Sequence, residues 1–124
     1  MTGEAGTTLD HPRALYVEPT QECNLSCWMC ARRSAAPDGF AGHRMDGRTF
    51  GRLRPYMRDL ETLELCGFGE PLLHPDILDM VSLARQWVPA GCHIALRTNG
   101  TLLSPRLLDG LCGALSELQI SVDG

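Results

Sequence analysis

The chain has 124 residues, the length of a single ordinary domain, and its 44% hydrophobic and 21% charged content is typical of a folded protein rather than a disordered one. The formal net charge of −4 excludes a basic surface of the kind that binds nucleic acid or an anionic membrane. No apolar run approaches the roughly 20 residues of a membrane-spanning helix, and the N-terminus lacks the apolar region of a secretory signal, so the sequence predicts a cytoplasmic protein.

The predicted domain begins with a short strand. Residues 1–12 are polar and have no hydrophobic periodicity, so they are predicted to form a disordered tail. The folded domain is predicted to cover residues 13–124. Ala14–Glu18 is a β-prone run that Pro19 ends, which is typical of a strand.

The loop after this strand carries three cysteines. Cys23, Cys27 and Cys30 have the spacing C-x3-C-x2-C, and thiolates on one loop suit either zinc or an iron–sulfur centre. A closed zinc site would need a fourth ligand, for which His43 and Cys66 are the candidates. A [4Fe–4S] cluster held by three cysteines instead leaves one iron open to a ligand that is not protein. The spacing favours the cluster, and zinc remains the alternative.

The other cysteines are not arranged as a disulfide framework. Cys66, Cys92 and Cys112 are scattered in apolar surroundings. In a reducing compartment free cysteine often behaves as a small hydrophobic residue. These three side chains are therefore predicted to be buried.

Three amphipathic helices are predicted after the cysteine loop. Asp46 is the expected N-cap of the first helix, and Pro55 is expected to kink or break it. The second helix is predicted to open near residues 75–76, and the third has Ser104 as its N-cap, followed by Pro105. The residues expected on the buried faces are Phe50, Leu53, Met57 and Leu60, then Ile77, Met80, Val81, Ala84 and Val88, and finally Leu107, Leu108, Leu111 and Leu115.

Strands alternate with these helices. Thr62–Cys66, His93–Arg97 and Leu118–Val122 are predicted as strands 2, 3 and 4. This alternation indicates βαβ units and a parallel sheet, and therefore an α/β fold. Right-handed crossovers then place the C-terminal ends of all strands at one edge, where α/β folds build their binding sites.

Polar, glycine-containing loops follow strands 2 to 4 at this edge. They are Gly67–Pro71, Thr98–Gly100 and Ser121–Gly124. Short polar side chains such as these can hydrogen-bond hydroxyl groups and carboxylates of a ligand. Thr-Asn-Gly and Asp-Gly are also ordinary turn sequences, so each loop taken singly has a purely structural interpretation.

Taken together, these segments resemble the successive motifs of the radical S-adenosylmethionine (radical SAM) superfamily. Val-Glu-Pro-Thr before the first cysteine, Gly-x-Gly-Glu-Pro after strand 2, Thr-Asn-Gly after strand 3 and Ser-x-Asp-Gly after strand 4 stand in register over residues 14–124. The sequence is most similar to the branch that contains molybdopterin-biosynthesis cyclases and SPASM-type peptide- and cofactor-modifying enzymes. The resemblance implies that Cys23, Cys27 and Cys30 ligate a [4Fe–4S] cluster and that SAM binds the fourth iron.

The resemblance also implies which residues contact SAM. Phe68, Gly69 and Glu70 match the segment that cradles the amino group of SAM, although many members have glycine at the position of Phe68. The full set of implied cofactor-binding residues is Gly67, Phe68, Gly69, Glu70, Asn99, Ser121 and Asp123. Met29 matches a position that usually carries a bulky apolar side chain and is expected to shield the cluster.

The fold and reaction implied by the resemblance are equally specific. The expected fold is a parallel-sheet partial TIM barrel, with (βα)3 plus strand 4 of a (βα)6 core. The expected reaction is reductive cleavage of SAM to a 5′-deoxyadenosyl radical, which abstracts hydrogen from a peptide or a cofactor precursor. The implied partners are that substrate and an electron donor such as a flavodoxin or ferredoxin, without nucleic acid or membrane.

A complete β/α barrel has about 250 residues, so the chain is expected to be truncated at its C-terminus. An isolated fragment is expected to be inactive and to self-associate through its unpaired edge strand. The alternative is a barrel completed by a second copy of the chain or by a second polypeptide. The alternative function is a non-catalytic zinc- or iron–sulfur-binding module.

Two further residues have mainly structural interpretations. His74 precedes a helix-opening proline and is predicted to be a turn residue rather than a metal ligand. Arg97 is a candidate for the cavity and otherwise pairs with Glu18 or Glu64.

Overall fold

The computed structural model describes residues 11–31 and 43–122. The strands are β1 (Ala14–Val17), β2 (Thr62–Leu65), β3 (His93–Thr98) and β4 (Glu117–Ile120), and the helices are α1 (Gly47–Gly51), α2 (Ile77–Trp87) and α3 (Pro105–Cys112), with 3₁₀ turns at Arg54–Tyr56 and Pro71–Leu73. Residues 1–10 of the predicted tail, and Asp123, lie outside the described residues.

The four strands form one sheet in the order β1-β2-β3-β4, and every neighbouring pair is parallel. The register places Val17, Leu65, Leu96 and Leu118 side by side across the sheet. Since a helix lies between each strand and the next, the chain consists of consecutive βαβ units. The predicted α/β class is confirmed, and the C-terminal ends of all four strands meet at one edge.

The helices begin where the sequence predicts. The Asp46 carboxylate accepts a hydrogen bond from the Thr49 backbone N–H at 2.7 Å, which caps α1. This helix ends at Gly51, and Pro55 lies in the following 3₁₀ turn, so the predicted break is confirmed. No helix within residues 11–31 and 43–122 is long and apolar enough to cross a membrane.

One hydrophobic core lies between the sheet and the helices. Leu63 and Leu65 of β2 are fully buried in it, whereas Glu64 points to the opposite, more polar face of the sheet. Every residue predicted on a buried helix face belongs to this core or packs on it, with the exception of Leu108. Leu108 is 38% exposed because the buried stripe of α3 is centred on Leu107 and Leu111.

The cap of α3 gives a first prediction. The Ser104 hydroxyl accepts a hydrogen bond from the Leu107 N–H at 3.2 Å, and Ser104→Ala removes this acceptor. We expect a loss of about 1 kcal/mol in the free energy of unfolding, measured by urea titration. Ser82→Ala is the matched control, because Ser82 is exposed within α2 and alanine favours helix there. An equal loss in both variants would show that the Ser104 cap does not stabilise the domain.

Candidate functional site

A cavity of about 600 Å³ opens at the C-terminal edge of the sheet. Its wall is formed by the cysteine loop after β1, the loop after β2, the end of β3 and the first residues after β4. All predicted site residues within the described part of the chain line it: Cys23, Cys27, Cys30, Gly67, Phe68, Gly69, Glu70, Asn99 and Ser121. The structure therefore brings together residues that are up to 98 positions apart in the sequence, from Cys23 to Ser121 (121 − 23).

The three predicted cluster ligands share one wall of the cavity. Cys23, Cys27 and Cys30 are free thiols of intermediate exposure, and the Cys30 N–H donates to the Cys27 carbonyl oxygen at 3.0 Å in a tight turn. Within residues 11–31 and 43–122, no three His, Cys, Asp or Glu side chains are grouped to hold a metal ion. A [4Fe–4S] cluster would take each of the three cysteines on a different iron, whereas a zinc ion takes all its ligands on one atom.

The loop after β2 lies directly against the segment that leads into the cysteine loop. The Glu70 N–H donates to the Glu22 carbonyl oxygen at 2.8 Å, and the Glu18 carboxylate accepts a hydrogen bond from the Phe68 N–H. A Cβ atom on Gly69 would lie 2.1 Å from the Thr20 carbonyl oxygen, so a side chain does not fit there. The glycine thus permits the close approach that places this loop beside Cys23.

This close approach gives a second prediction. We expect Gly69→Ala to lower the free energy of unfolding by about 2–3 kcal/mol, because two backbone segments must separate to admit the methyl group. Gly91→Ala is the matched control, since a Cβ there meets nothing within 4 Å. The control is expected to change stability by less than about 1 kcal/mol. Urea unfolding of the cluster-free variants measures both, and equal stabilities would contradict the packing argument.

Glu70 is a buried carboxylate at the base of the cavity, with an exposed fraction of 3%. Its Oε1 accepts from the Thr98 hydroxyl at 2.6 Å and from the Leu72 N–H at 3.1 Å, and its Oε2 accepts from the Asn99 N–H at 2.7 Å. A carboxylate offers about four acceptor positions, so three donors leave room for one more. Among the described residues Glu70 has no ion-pair partner.

Asn99 extends this network towards the cysteine loop. Its side-chain nitrogen donates to the Asn24 side-chain oxygen at 2.9 Å, and its oxygen accepts from the Thr101 N–H at 3.0 Å. Neither Asn24 nor Thr98 belongs to the predicted set of cofactor-binding residues, although Thr98 begins one of the polar loops expected at this edge. The position of Asn24 directly after the first cysteine is a sequence feature that could have indicated its role. No sequence feature indicates the contact between Thr98 and Glu70.

Arg97 and Cys66 also line the cavity. The Arg97 guanidinium is 3.1 Å from the Glu64 carboxylate, so of the two predicted partners Glu64 is the one observed. Burial raises the pKa of the Cys66 thiol above its ordinary value, and the nearby Glu64 carboxylate adds to the shift. Cys66 is therefore a neutral thiol at neutral pH rather than a ready thiolate.

Five side chains test the remaining expectations. Cys92 is buried, as predicted. Cys66 is only half-buried, because it follows β2 and lines the cavity, and Cys112 is exposed, because it lies at the outer end of α3. Met29 is 57% exposed and does not line the cavity, so the expected shielding is absent from this arrangement. His74 is buried, accepts from the Asp76 N–H at 3.0 Å and contacts the Met45 carbonyl oxygen at 2.7 Å, which confirms a turn residue.

Comparison with known proteins gives a family and a fold. The family model described as the Radical SAM superfamily matches residues 17–124. An AdoMet-dependent heme synthase of Methanosarcina barkeri is 32% identical over 91% of this chain and 32% of its own length. A GTP 3′,8-cyclase of a Synechococcus species is 37% identical over 98% of this chain and 36% of its own length. The chain thus spans about a third of the length of these relatives.

A solved structure has the same fold. The crystal structure of BtrN in complex with AdoMet and 2-DOIA superimposes with a TM-score of 0.72 over 87% of this chain and 44% of that chain, at 19% identity. This likeness agrees with a partial TIM barrel built from a four-stranded parallel sheet. The cyclase relative agrees with the branch that the sequence motifs indicate.

Proposed function

Because the chain belongs to the radical SAM superfamily, we propose that it forms the cluster-binding and SAM-binding part of an enzyme that cleaves SAM reductively. The cofactors of this superfamily are a [4Fe–4S] cluster and SAM. One observation carries the proposal: three free thiols line the same cavity as a buried carboxylate that has no ion-pair partner among residues 11–31 and 43–122. The thiols suit three irons of a cluster, and the carboxylate suits a cationic ligand.

The argument for a cationic ligand rests on Glu70. Buried charges in proteins are normally paired, because an isolated charge is costly to remove from water. Three hydrogen bonds within the chain compensate the Glu70 carboxylate in part, and among the described residues no cation completes the pairing. The ammonium group of SAM has the required charge and three donors. We therefore assign its amino group to the segment of Phe68, Gly69 and Glu70.

The remaining contacts follow from the cavity wall. Gly67, Phe68 and Gly69 line the cavity, and backbone carbonyls of this segment can accept hydrogen bonds from an ammonium group. Ser121 supplies a hydroxyl on the opposite wall, and Asp123 follows it two residues later. We propose that these two residues hold the ribose hydroxyls or the carboxylate of SAM. Asn99 belongs to the same wall, with its side-chain amide turned to the cysteine loop.

Cys23, Cys27 and Cys30 would hold the cluster, which would supply the electron for the reductive cleavage of SAM to methionine and a 5′-deoxyadenosyl radical, and so for hydrogen abstraction from the substrate. The chain's own part is to bind the cluster through these three thiols and to orient SAM through the loop after β2. Trp28 and Met29 are exposed beside the cysteines, on the side that a reductant could approach.

The proposed substrate is a peptide or a cofactor precursor. The name of the heme synthase relative supports the second class, and the resemblance to peptide-modifying enzymes supports the first. The proposed electron donor is a flavodoxin or ferredoxin. The proposed location is the cytoplasm, where reducing conditions keep all six cysteines as free thiols and leave the three on the cysteine loop available to the cluster.

Electron paramagnetic resonance tests the proposal. The protein is reconstituted with iron and sulfide without oxygen, reduced with dithionite, and measured with and without excess SAM. We expect the spectrum of a reduced [4Fe–4S] cluster that changes when SAM is added, because SAM ligates the open iron. A spectrum that excess SAM leaves unchanged would contradict the proposed SAM site, and stoichiometric zinc without iron would favour the zinc-binding module.

A further inference from the structure

A closed ring of hydrogen bonds ties the cysteine loop to the loop after β3. The Asn99 side-chain nitrogen donates to the Asn24 side-chain oxygen at 2.9 Å, and the Asn24 nitrogen donates to the Thr101 hydroxyl at 2.8 Å. The Thr101 hydroxyl in turn donates to the Asn99 side-chain oxygen at 2.7 Å. In this ring the two side-chain amide nitrogens donate, the two amide oxygens accept, and the Thr101 hydroxyl does both, as the chemistry of these groups allows.

The ring ties the interior of the cysteine loop to the loop after β3. Among the described residues, Asn24 is the one member of Cys23–Cys30 that hydrogen-bonds to another part of the chain. Glu22, directly before the loop, is held separately, because its carbonyl oxygen accepts from the Glu70 N–H. Trp28 and Met29 are mostly exposed and contribute little apolar packing. Within residues 11–31 and 43–122, the ring is therefore the hydrogen-bonded contact that holds the part of the loop between the thiols.

We propose that Asn24, Asn99 and Thr101 form a positioning lock for the cysteine loop, which fixes the cluster thiols in the cavity wall. This inference rests on the proposed function, since it concerns the loop assigned to the cluster. Residues that orient metal ligands without touching the metal affect its affinity strongly. The lock is also joined to the SAM side of the cavity, because the Asn99 N–H donates to the Glu70 carboxylate at 2.7 Å.

Three sets of variants test the lock. Asn24→Ala and Asn99→Ala each break the ring, and the double variant shows whether they act through one contact. Thr101→Val removes the hydroxyl, whereas Thr101→Ser keeps it and is the matched control. Two readouts are used: the rate at which a chelator removes iron from the reconstituted protein without SAM, and hydrogen–deuterium exchange of peptides over residues 22–31 in the cluster-free protein.

We expect Asn24→Ala, Asn99→Ala and Thr101→Val each to release iron about tenfold faster or more, with faster exchange over residues 22–31. Thr101→Ser should behave like the unchanged protein. The double Asn variant should release iron no faster than Asn24→Ala, because Asn24→Ala alone already removes both hydrogen bonds that tie the cysteine loop to Asn99 and Thr101.

The lock is overturned if Asn99→Ala leaves iron release and amide exchange unchanged and weakens only SAM binding, because Asn99 is then a SAM contact. The lock is also overturned if the effects of Asn24→Ala and Asn99→Ala on the rate of iron release are additive in the double variant. A protein that takes up no iron contradicts the proposed function instead, and the exchange measurement on the cluster-free protein still decides whether the lock exists.

Discussion

Replacing Cys23, Cys27 or Cys30 by alanine is expected to abolish retention of the [4Fe–4S] cluster. The three thiols line the same cavity, and each is assigned to a different iron. No remaining cysteine on the loop can therefore replace the lost ligand. Iron and acid-labile sulfide are measured after anaerobic reconstitution and gel filtration. The expected iron content of each variant is near zero.

The other three cysteines are the controls for this experiment. Cys66→Ala is the most stringent, because Cys66 lines the same cavity but is held as a neutral thiol by burial and by the nearby Glu64 carboxylate. Cys92 is buried in the core and Cys112 is exposed on α3, both away from the cavity wall. All three variants should keep their iron. A cluster that survives Cys27→Ala and is lost in Cys66→Ala would show that the assigned ligand set is wrong.

The second large effect is expected at Glu70. Glu70→Ala leaves the Thr98 hydroxyl and the N–H groups of Leu72 and Asn99 without their acceptor in a buried place. An unsatisfied buried donor costs about 1–3 kcal/mol, so we expect the free energy of unfolding to fall by about 3 kcal/mol or more. Urea unfolding of the cluster-free protein measures this loss.

Glu70→Gln removes the charge and keeps most of the packing. Glutamine has the same shape, and its one oxygen can still accept from the Thr98 hydroxyl and the Leu72 N–H, whereas the Asn99 N–H loses its acceptor. The amide carries no negative charge for the ammonium group of SAM. We expect SAM affinity to fall about tenfold or more, because hydrogen bonds to charged groups are among the strongest in proteins. Titration of the reduced, cluster-loaded protein with SAM measures this affinity.

Glu61→Gln is the matched control for both Glu70 variants. Glu61 is exposed and pairs with Arg13 on the surface, so its removal should change stability by about 1 kcal/mol at most and leave SAM affinity unchanged. If Glu70→Gln binds SAM as tightly as the unchanged protein, Glu70 serves only to hold the loops together and the ammonium assignment is wrong.

Much of the fold was predictable because its signals are local. Asp46, Ser104 and Pro55 act on the backbone within a few residues of themselves, so the sequence near them is enough to locate helix starts and a break. The alternation of strands and helices then places every strand end at one edge. For this reason the described candidate site residues were correctly expected to line one cavity.

The missed features depend on contacts between distant segments. The Asn24–Asn99 hydrogen bond joins residues 75 positions apart, and the Thr98–Glu70 bond joins residues 28 positions apart. Neither hydrophobic periodicity nor turn preference in the sequence indicates which distant residues form such hydrogen bonds. The exposure of Leu108 and Met29 likewise depends on how far the neighbouring elements extend over them, which hydrophobicity alone does not determine.

Mössbauer spectroscopy of the protein reconstituted with iron-57 tests the central claim most directly, because it distinguishes the individual irons of a cluster. With three cysteine ligands, the spectrum should be that of a [4Fe–4S] cluster, and addition of SAM should change the parameters of one iron site while the other three stay constant. Four equivalent sites that SAM does not affect, or a protein that retains zinc and no iron, would contradict the account.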